Sequence, residues 1–195
     1  MRIIKLPKRL ASKLSRRLRT LYYRVLSDNK PKTDHCTRVQ PVLTTGNGVI
    51  EFRGCSLGYF PSERFWSSYC HIEARTAGST IIIGNGVFLN NDATLVAEKT
   101  SITIEDNCLI GPSIRVYDSD FHDTQPETRR VGGHRCAPVH IEKNVFIGSG
   151  VTILKGTTIG EGSVIAAGSV VTKSIPPRCI AAGNPAKVIR KISDR

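Results

Sequence analysis

Two histidines, His122 and His134, stand in the polar stretch YDSDFHDTQPETRRVGGHRCAP at residues 117–138. A neutral imidazole can take a proton from a hydroxyl or an amine near neutral pH, provided its other ring nitrogen is held by a second group. Asp118, Asp120, Asp123 and Glu127 are all near enough in sequence to do the holding, and spacing does not choose among them. Position alone leaves His122 balanced between a general base and a solvated loop residue. His140, beside the inward Val139 that reopens the repeat, is expected to face solvent, and His35 and His71 have no context that assigns them a role.

The histidine stretch interrupts a repeat. From Ile141 the chain reads IEKNVF, IGSGVT, ILKGTT, IGEGSV, IAAGSV, VTKSIP, with Ile141, Ile147, Ile153, Ile159, Ile165 and Val171 six residues apart. Four residues after each opener comes a small or β-branched residue: Val145, Val151, Thr157, Ser163, Ser169, Ile175. Weaker units begin at Ile83, Leu89, Ile104 and Ile110, and LVAEKTSIT between them slips the phase by three. A period of six suits neither a helix nor an amphipathic strand. It suits a prism: each unit is one short strand and a turn, three units make one triangular coil, and coils stack at roughly 4.8 Å. The opener and the residue four further on point inward, and Gly or Asn takes the corners. A single coil buries too little to stand alone, so stability comes from stacking. A long polar excursion from so regular a scaffold is where function is expected.

These units, and above all the closing run GSVIAAGSVVTKSIPPRCIAAGNPAKVIRKI, resemble the hexapeptide-repeat acyltransferases, in the branch of maltose, galactoside and other sugar O-acetyltransferases. The resemblance covers about residues 80–192. It implies a β fold, a left-handed parallel β-helix of hexapeptide repeats, with an N-terminal amphipathic helix and a protruding loop at 117–138. The hand comes from the resemblance, not from the period. It further implies acetyl transfer from acetyl-CoA to a saccharide hydroxyl, with a cell-surface polysaccharide or its precursor as acceptor. The family's catalytic histidine follows shortly after the IGP unit, which is His122; His134 misses that position. Asn90, in FLNND, and Glu98 match acceptor-binding positions, and Gly111, Ser149, Ala167, Thr172, Lys173 and Arg190 match those for coenzyme A. The Ser149 amide is the implied oxyanion donor, Lys187 and Lys191 could join Arg190 at the nucleotide phosphates, and neither a metal nor Cys136 is required. Phe146 stands where the family often has Trp, keeping an aromatic wall without an N–H donor. A homotrimer is implied, with the site between neighbouring subunits. Two other chemistries stay open: N-acetylation of an amino sugar by the same base, and a zinc-dependent carbonic anhydrase-like lyase if His122, His134 and His140 gathered around an ion.

The 195 residues carry a formal net charge of +12, most of it in one place. Residues 1–40 hold a net +10 and the rest of the chain is nearly neutral. A nucleic-acid-binding body would spread basic charge over its working face, so nucleic acid is not expected as a partner. Residues 3–26 are predicted as a helix, with Pro7 in its first turn and Leu10, Leu14, Leu18, Leu21, Tyr22 and Val25 as an apolar stripe flanked by Lys and Arg. The domain plan is therefore a basic amphipathic helix at 1–30, a linker with irregular early coils at 31–80, and a repeat domain at 81–192. A basic amphipathic helix suits two placements, on an anionic membrane surface or packed against the prism end or a partner subunit. GYFPSERFWSSYC, with the only tryptophan, Trp66, is expected as packing or a subunit contact before an acceptor pocket. Six cysteines without a CxxC pair, no secretory signal and no span-length apolar run point to a cytoplasmic chain, with peripheral contact at the inner membrane as a further option.

Overall fold

The structure is a computed structural model that describes residues 8–193. From Val42 onward the chain winds into six stacked triangular coils. The first face consists of the strands Val42–Thr45, Cys70–Ala74, Thr94–Ala97, Arg115–Tyr117, Thr152–Ile153 and Val170–Val171, each parallel to the next. The second face carries Thr80–Ile83, Ser101–Ile104, Val139–Ile141 and Thr158–Ile159, and the third carries Phe88–Leu89, Leu109–Ile110, Phe146–Ile147, Val164–Ile165 and Cys179–Gly183. The strand Val49–Leu57 rounds a corner and pairs on both of these faces. Ala186–Lys191 then folds back antiparallel on Cys179–Gly183 and closes the last coil on its third face.

The hexad rhythm maps onto this prism position by position. Ile141, Ile147, Ile153, Ile159, Ile165 and Val171 are fully buried, and Val145, Val151, Thr157, Ser163, Ser169 and Ile175 point inward beside them. Three of the latter are hydroxyl residues, and each satisfies its oxygen at once. Thr157 Oγ1 donates to the Leu154 carbonyl at 2.8 Å, Ser163 Oγ to that of Pro176 at 2.8 Å, and Ser169 Oγ to that of Ala166 at 2.7 Å. A small hydroxyl therefore costs little inside a corner, whereas an unpaired one would cost 1–3 kcal/mol or so. Asn144 turns its corner at φ 59°, a left-handed conformation that Asn tolerates.

Coils differ mainly at one corner, between the first and second faces. The step round it takes six residues from Ile153 to Ile159, nine from Leu95 to Ile104, where the phase slip falls, and opens into the excursion of 118–138 before Ile141. A second excursion, Gly58–Tyr69, leaves the corner between the third and first faces and carries the aromatic cluster. Helix α1 (Lys8–Leu26) lies against it. The helix start expected at residue 3, and Pro7, lie outside the described residues. The helix docks by its basic and aromatic side, not by its apolar stripe: Arg19 donates to the carbonyls of Phe65 and Ser68 at 2.8 and 2.9 Å, and Tyr23 stacks on Tyr69. Below the helix, the Ser27 hydroxyl and Asn29 tie the chain to the first coil at Thr44. Among the described residues no helix is long and apolar enough to cross a membrane.

Candidate active site

The excursion 118–138 is anchored from below by one buried carboxylate. The longer turn at 98–100 leaves its amides turned toward the prism, and Asp118, fully buried, accepts from them. Its oxygens take the amides of Glu98, Lys99 and Thr100 at 2.7, 3.2 and 2.7 Å, and the Thr100 hydroxyl at 2.8 Å. Above Asp118 the two ends of the excursion pair with each other. The Ala137 amide donates to the Asp118 carbonyl at 2.8 Å and the Asp120 amide to the Arg135 carbonyl at 3.1 Å.

Glu98 is committed at this neck. One of its oxygens accepts from the Ser119 hydroxyl and meets His134 Nε2 at 2.8 Å, and the Glu98 and His134 side chains are only 12% and 13% exposed. The residue matched to acceptor binding thus holds the loop and orients the second histidine. Beyond the neck, Phe121 adopts φ 60°, rare for an aromatic residue. The strain is supported on three sides: the Ser119 hydroxyl accepts from the Phe121 amide at 2.8 Å, Tyr117 meets its ring edge-on at 5.7 Å, and Arg75 lies 5.0 Å over the ring. Arg75 is itself fixed by Glu73 at 2.7 Å, and that bond holds the Glu73 carboxyl below its ordinary range.

The left-handed turn at Phe121 throws His122 outward, where it is exposed. Its amide donates to the Asp120 carbonyl at 2.7 Å, and among the described residues nothing hydrogen-bonds its ring. The acidic neighbours have other duties. Asp118 caps the turn below, Asp120 pairs with Lys155 at 2.6 Å, and Asp123 accepts from the Thr128 hydroxyl at 2.6 Å, which lowers its carboxyl pKa. His122, His134, Asp120, Arg135 and Lys155 line one cleft of about 580 Å³. Lys155 was not singled out in sequence, although the third place in ILKGTT puts it directly under the excursion. Ser119, Phe121 and Arg75 were also missed, and only the contact of Arg75 across coils could have revealed it.

The residues matched to coenzyme A divide between two corners. Gly111, Ser149 and Ala167 follow strands that pair in register on the third face and form one staggered column at that corner: Asn90 and Gly111 stand one place past their strands, Ser149 and Ala167 two. A Cβ at Gly111 would stand 2.8 Å from the Ser149 nitrogen, and one at Gly148 would stand 2.6 Å from that of Ala167. Bare backbone is therefore required here. Ser149 and Ala167 are exposed, and among the described residues the Ser149 amide donates to no acceptor. Thr172 and Lys173 lie instead on the corner of the histidine excursion, in the last coil, and Arg190 is exposed on the closing hairpin. Asn90 Oδ1 accepts from the Asn91 amide at 2.7 Å, a turn contact. Within one chain the first face separates Asn90 and the Ser149 column from His122.

His140 meets Glu105 at 2.7 Å on the second face and is 42% exposed, away from the other histidines. The metal-ligating side chains that converge among the described residues of one chain are Glu98, His134 and Cys136; His122, His134 and His140 do not converge within it. The Cys70 thiol is pushed up to about 12 and that of Cys108 to about 11, both by burial, as suits packing residues.

The family described as the hexapeptide repeat of succinyl-transferase matches residues 101–113 and 138–173. A galactoside O-acetyltransferase of Escherichia coli K12 is 47% identical over 118 residues, covering 60% of this chain and 57% of that protein. A polysialic acid O-acetyltransferase of Escherichia coli O1:K1 is 39% identical, covering 60% of this chain and 38% of its own length. The chain thus spans little more than half, or less, of these curated relatives. Among solved structures, a hexapeptide-repeat acetyltransferase of Vibrio cholerae O1 biovar eltor, complexed with acetyl coenzyme A, is 31% identical with a TM-score of 0.55; the match covers 78% of this chain and 72% of that one.

Proposed function

This chain belongs to the hexapeptide-repeat acetyltransferases, with their left-handed parallel β-helix, and on that premise we propose that it transfers an acetyl group from acetyl-CoA to a saccharide hydroxyl. A cell-surface polysaccharide or its precursor is the acceptor class, in keeping with the polysialic acid and galactoside O-acetyltransferases among its relatives. One observation carries the reading: an exposed imidazole held over a polar cleft by a backbone that is strained at Phe121.

The residues on the page fit the donor. The Gly111–Ser149–Ala167 column offers bare backbone for a thin pantetheine arm, and exposed Lys173 and Arg190 offer cations for the phosphates. Bound there, acetyl-CoA supplies the activated acetyl group. His122, neutral, takes the proton of the acceptor hydroxyl as its oxygen attacks, and the Ser149 amide, free of other acceptors, donates to the negative charge that develops. His122 then returns the proton to the departing sulfur. No covalent bond to the chain is formed, and Cys136 stays out of the reaction.

His122 and the Ser149 column stand at opposite edges of the first face, so we infer a homotrimer in which a neighbour's column, with its Asn90, faces His122. Six cysteines without a CxxC pair suit the cytoplasm. His134 supplies a second reading for the base, because a carboxylate fixes one of its nitrogens as catalysis requires and leaves the other free. The deciding experiment is acetyl transfer to a panel of galactosides, sialic acid polymers, amino sugars and lipid-linked oligosaccharides, by the wild type, His122→Ala and His134→Ala. Loss in His122→Ala with binding of coenzyme A intact supports the first reading; loss only in His134→Ala selects the second. Transfer to amino groups alone would replace O- by N-acetylation.

A further inference from the structure

Helix α1 has two sides with opposite fates. The inner side is pinned by Arg19 to two backbone carbonyls, by Arg16 at 4.8 Å over the Phe60 ring and by Tyr23 on Tyr69. The outer side is bare: Leu10, Leu14, Leu18, Leu21, Tyr22 and Val25 are 49–75% exposed. At about 100° per residue these six fall within one arc of the helix. An apolar stripe this continuous is a surface that something covers.

The charge beside the stripe says what. The helix sequence KRLASKLSRRLRTLYYRVL holds seven Lys or Arg and no acidic residue. Lys13, Arg17 and Arg24 border one side of the stripe and, with Arg16 and Arg38, line a cleft of about 490 Å³ between the helix and the prism. Arg16, held against the Phe60 ring, has its Nε buried there with no hydrogen-bond partner. A second copy of the helix is a poor occupant, because it would bring seven more cations and no acid to meet them. An anionic bilayer surface supplies both missing halves, acyl chains for the leucines and phosphates for the cations.

We propose that α1 is an interfacial helix that seats this protein on an anionic phospholipid bilayer. Its leucine stripe enters the acyl boundary while Lys13, Arg17 and Arg24 meet headgroup phosphates, and the inner side keeps its grip on the prism. Tyr22, at one edge of the stripe, suits the headgroup level. This goes beyond acetyl transfer and does not depend on it.

The test is co-sedimentation of the full chain with vesicles of phosphatidylglycerol mixed into phosphatidylcholine, against phosphatidylcholine alone. Binding to the anionic vesicles only is expected, weakening as salt rises. Leu14→Asp with Leu18→Asp should cut partitioning roughly 100-fold, and Lys13→Glu with Arg17→Glu and Arg24→Glu should remove the lipid selectivity. All five sites lie off the pinned side, so the folded chain should survive; circular dichroism and transfer to a water-soluble galactoside check this. Equal binding by wild type and the leucine variant, or binding to neither vesicle, overturns the proposal. So does a leucine variant that changes the oligomeric state in light scattering while vesicle binding persists, since the stripe would then be a subunit contact.

Discussion

Two excursions leave the same prism and end differently. Gly58–Tyr69 is rich in aromatic residues and collapses: Phe65 is buried, the rings of Phe60, Phe65 and Trp66 meet edge to face at 5.0–5.9 Å, and α1 is stitched on by Arg19. Residues 118–138 are polar and stay open beyond their neck, with most of 122–131 exposed. An insertion that carries its own apolar area becomes scaffold, because burial offsets the cost of ordering it. One that does not must be tied by specific polar contacts and leaves its tip available for chemistry.

Substitutions can break that contrast or sharpen it. The largest effect is expected in the open excursion: His122→Ala should lower acetyl transfer about 10²–10⁴-fold without moving the melting temperature. Wild-type turnover in that variant would remove the imidazole from the reaction. In the collapsed excursion the pattern reverses. Phe65→Ala should cost about 3–5 kcal/mol in a denaturant titration yet leave turnover near normal below the transition. A selective loss of turnover would mean that the aromatic cluster touches the acceptor. Asp118→Asn tests the tie beneath the open loop. It turns an amide donor toward backbone donors and should cost about 2 kcal/mol, with amide exchange rising first at 98–100.

The smallest effect is in acid. Burial opposes ionisation of Asp92, but the Ser113 hydroxyl, Arg115 and Arg64 outweigh it and hold the carboxyl below its ordinary 3.8. A depressed carboxyl contributes stability that is present above the unfolded value and lost as pH falls through the folded one. Trp66 emission should therefore shift only below pH 3.8, as Arg64 releases the aromatic excursion, and Asp92→Asn should flatten that shift. A shift already seen near neutrality would point to another group.

Sequence showed the prism well because its inward positions obey one spacing rule, and every opener from Ile141 to Val171 is buried as that rule requires. It also marked 117–138 as the stretch that leaves the repeat. The first coils were less legible. Val49–Leu57 bends round a corner in one strand and Gly58–Tyr69 is inserted, so the period is hidden although the register runs back to Val42. The roles inside the excursion were not legible at all. Asp118, Asp120, Asp123 and Glu127 look interchangeable in sequence, yet Asp118 faces inward beneath the turn while Asp120 reaches Lys155 one coil away. Glu98 meets His134 across 36 residues. Such partners are set by the stacking of coils, which places distant residues side by side.

A stack of parallel strands has no natural end, and a bare terminal coil would invite another molecule to continue it. The returning strand Ala186–Lys191 occupies one such edge and presents Lys187, Arg190 and Lys191 outward, while α1 sits by the opposite end. A second molecule approaching that face would meet cations instead of the bare edge of Cys179–Gly183, so pairing there is discouraged by the same cations that suit a phosphorylated ligand.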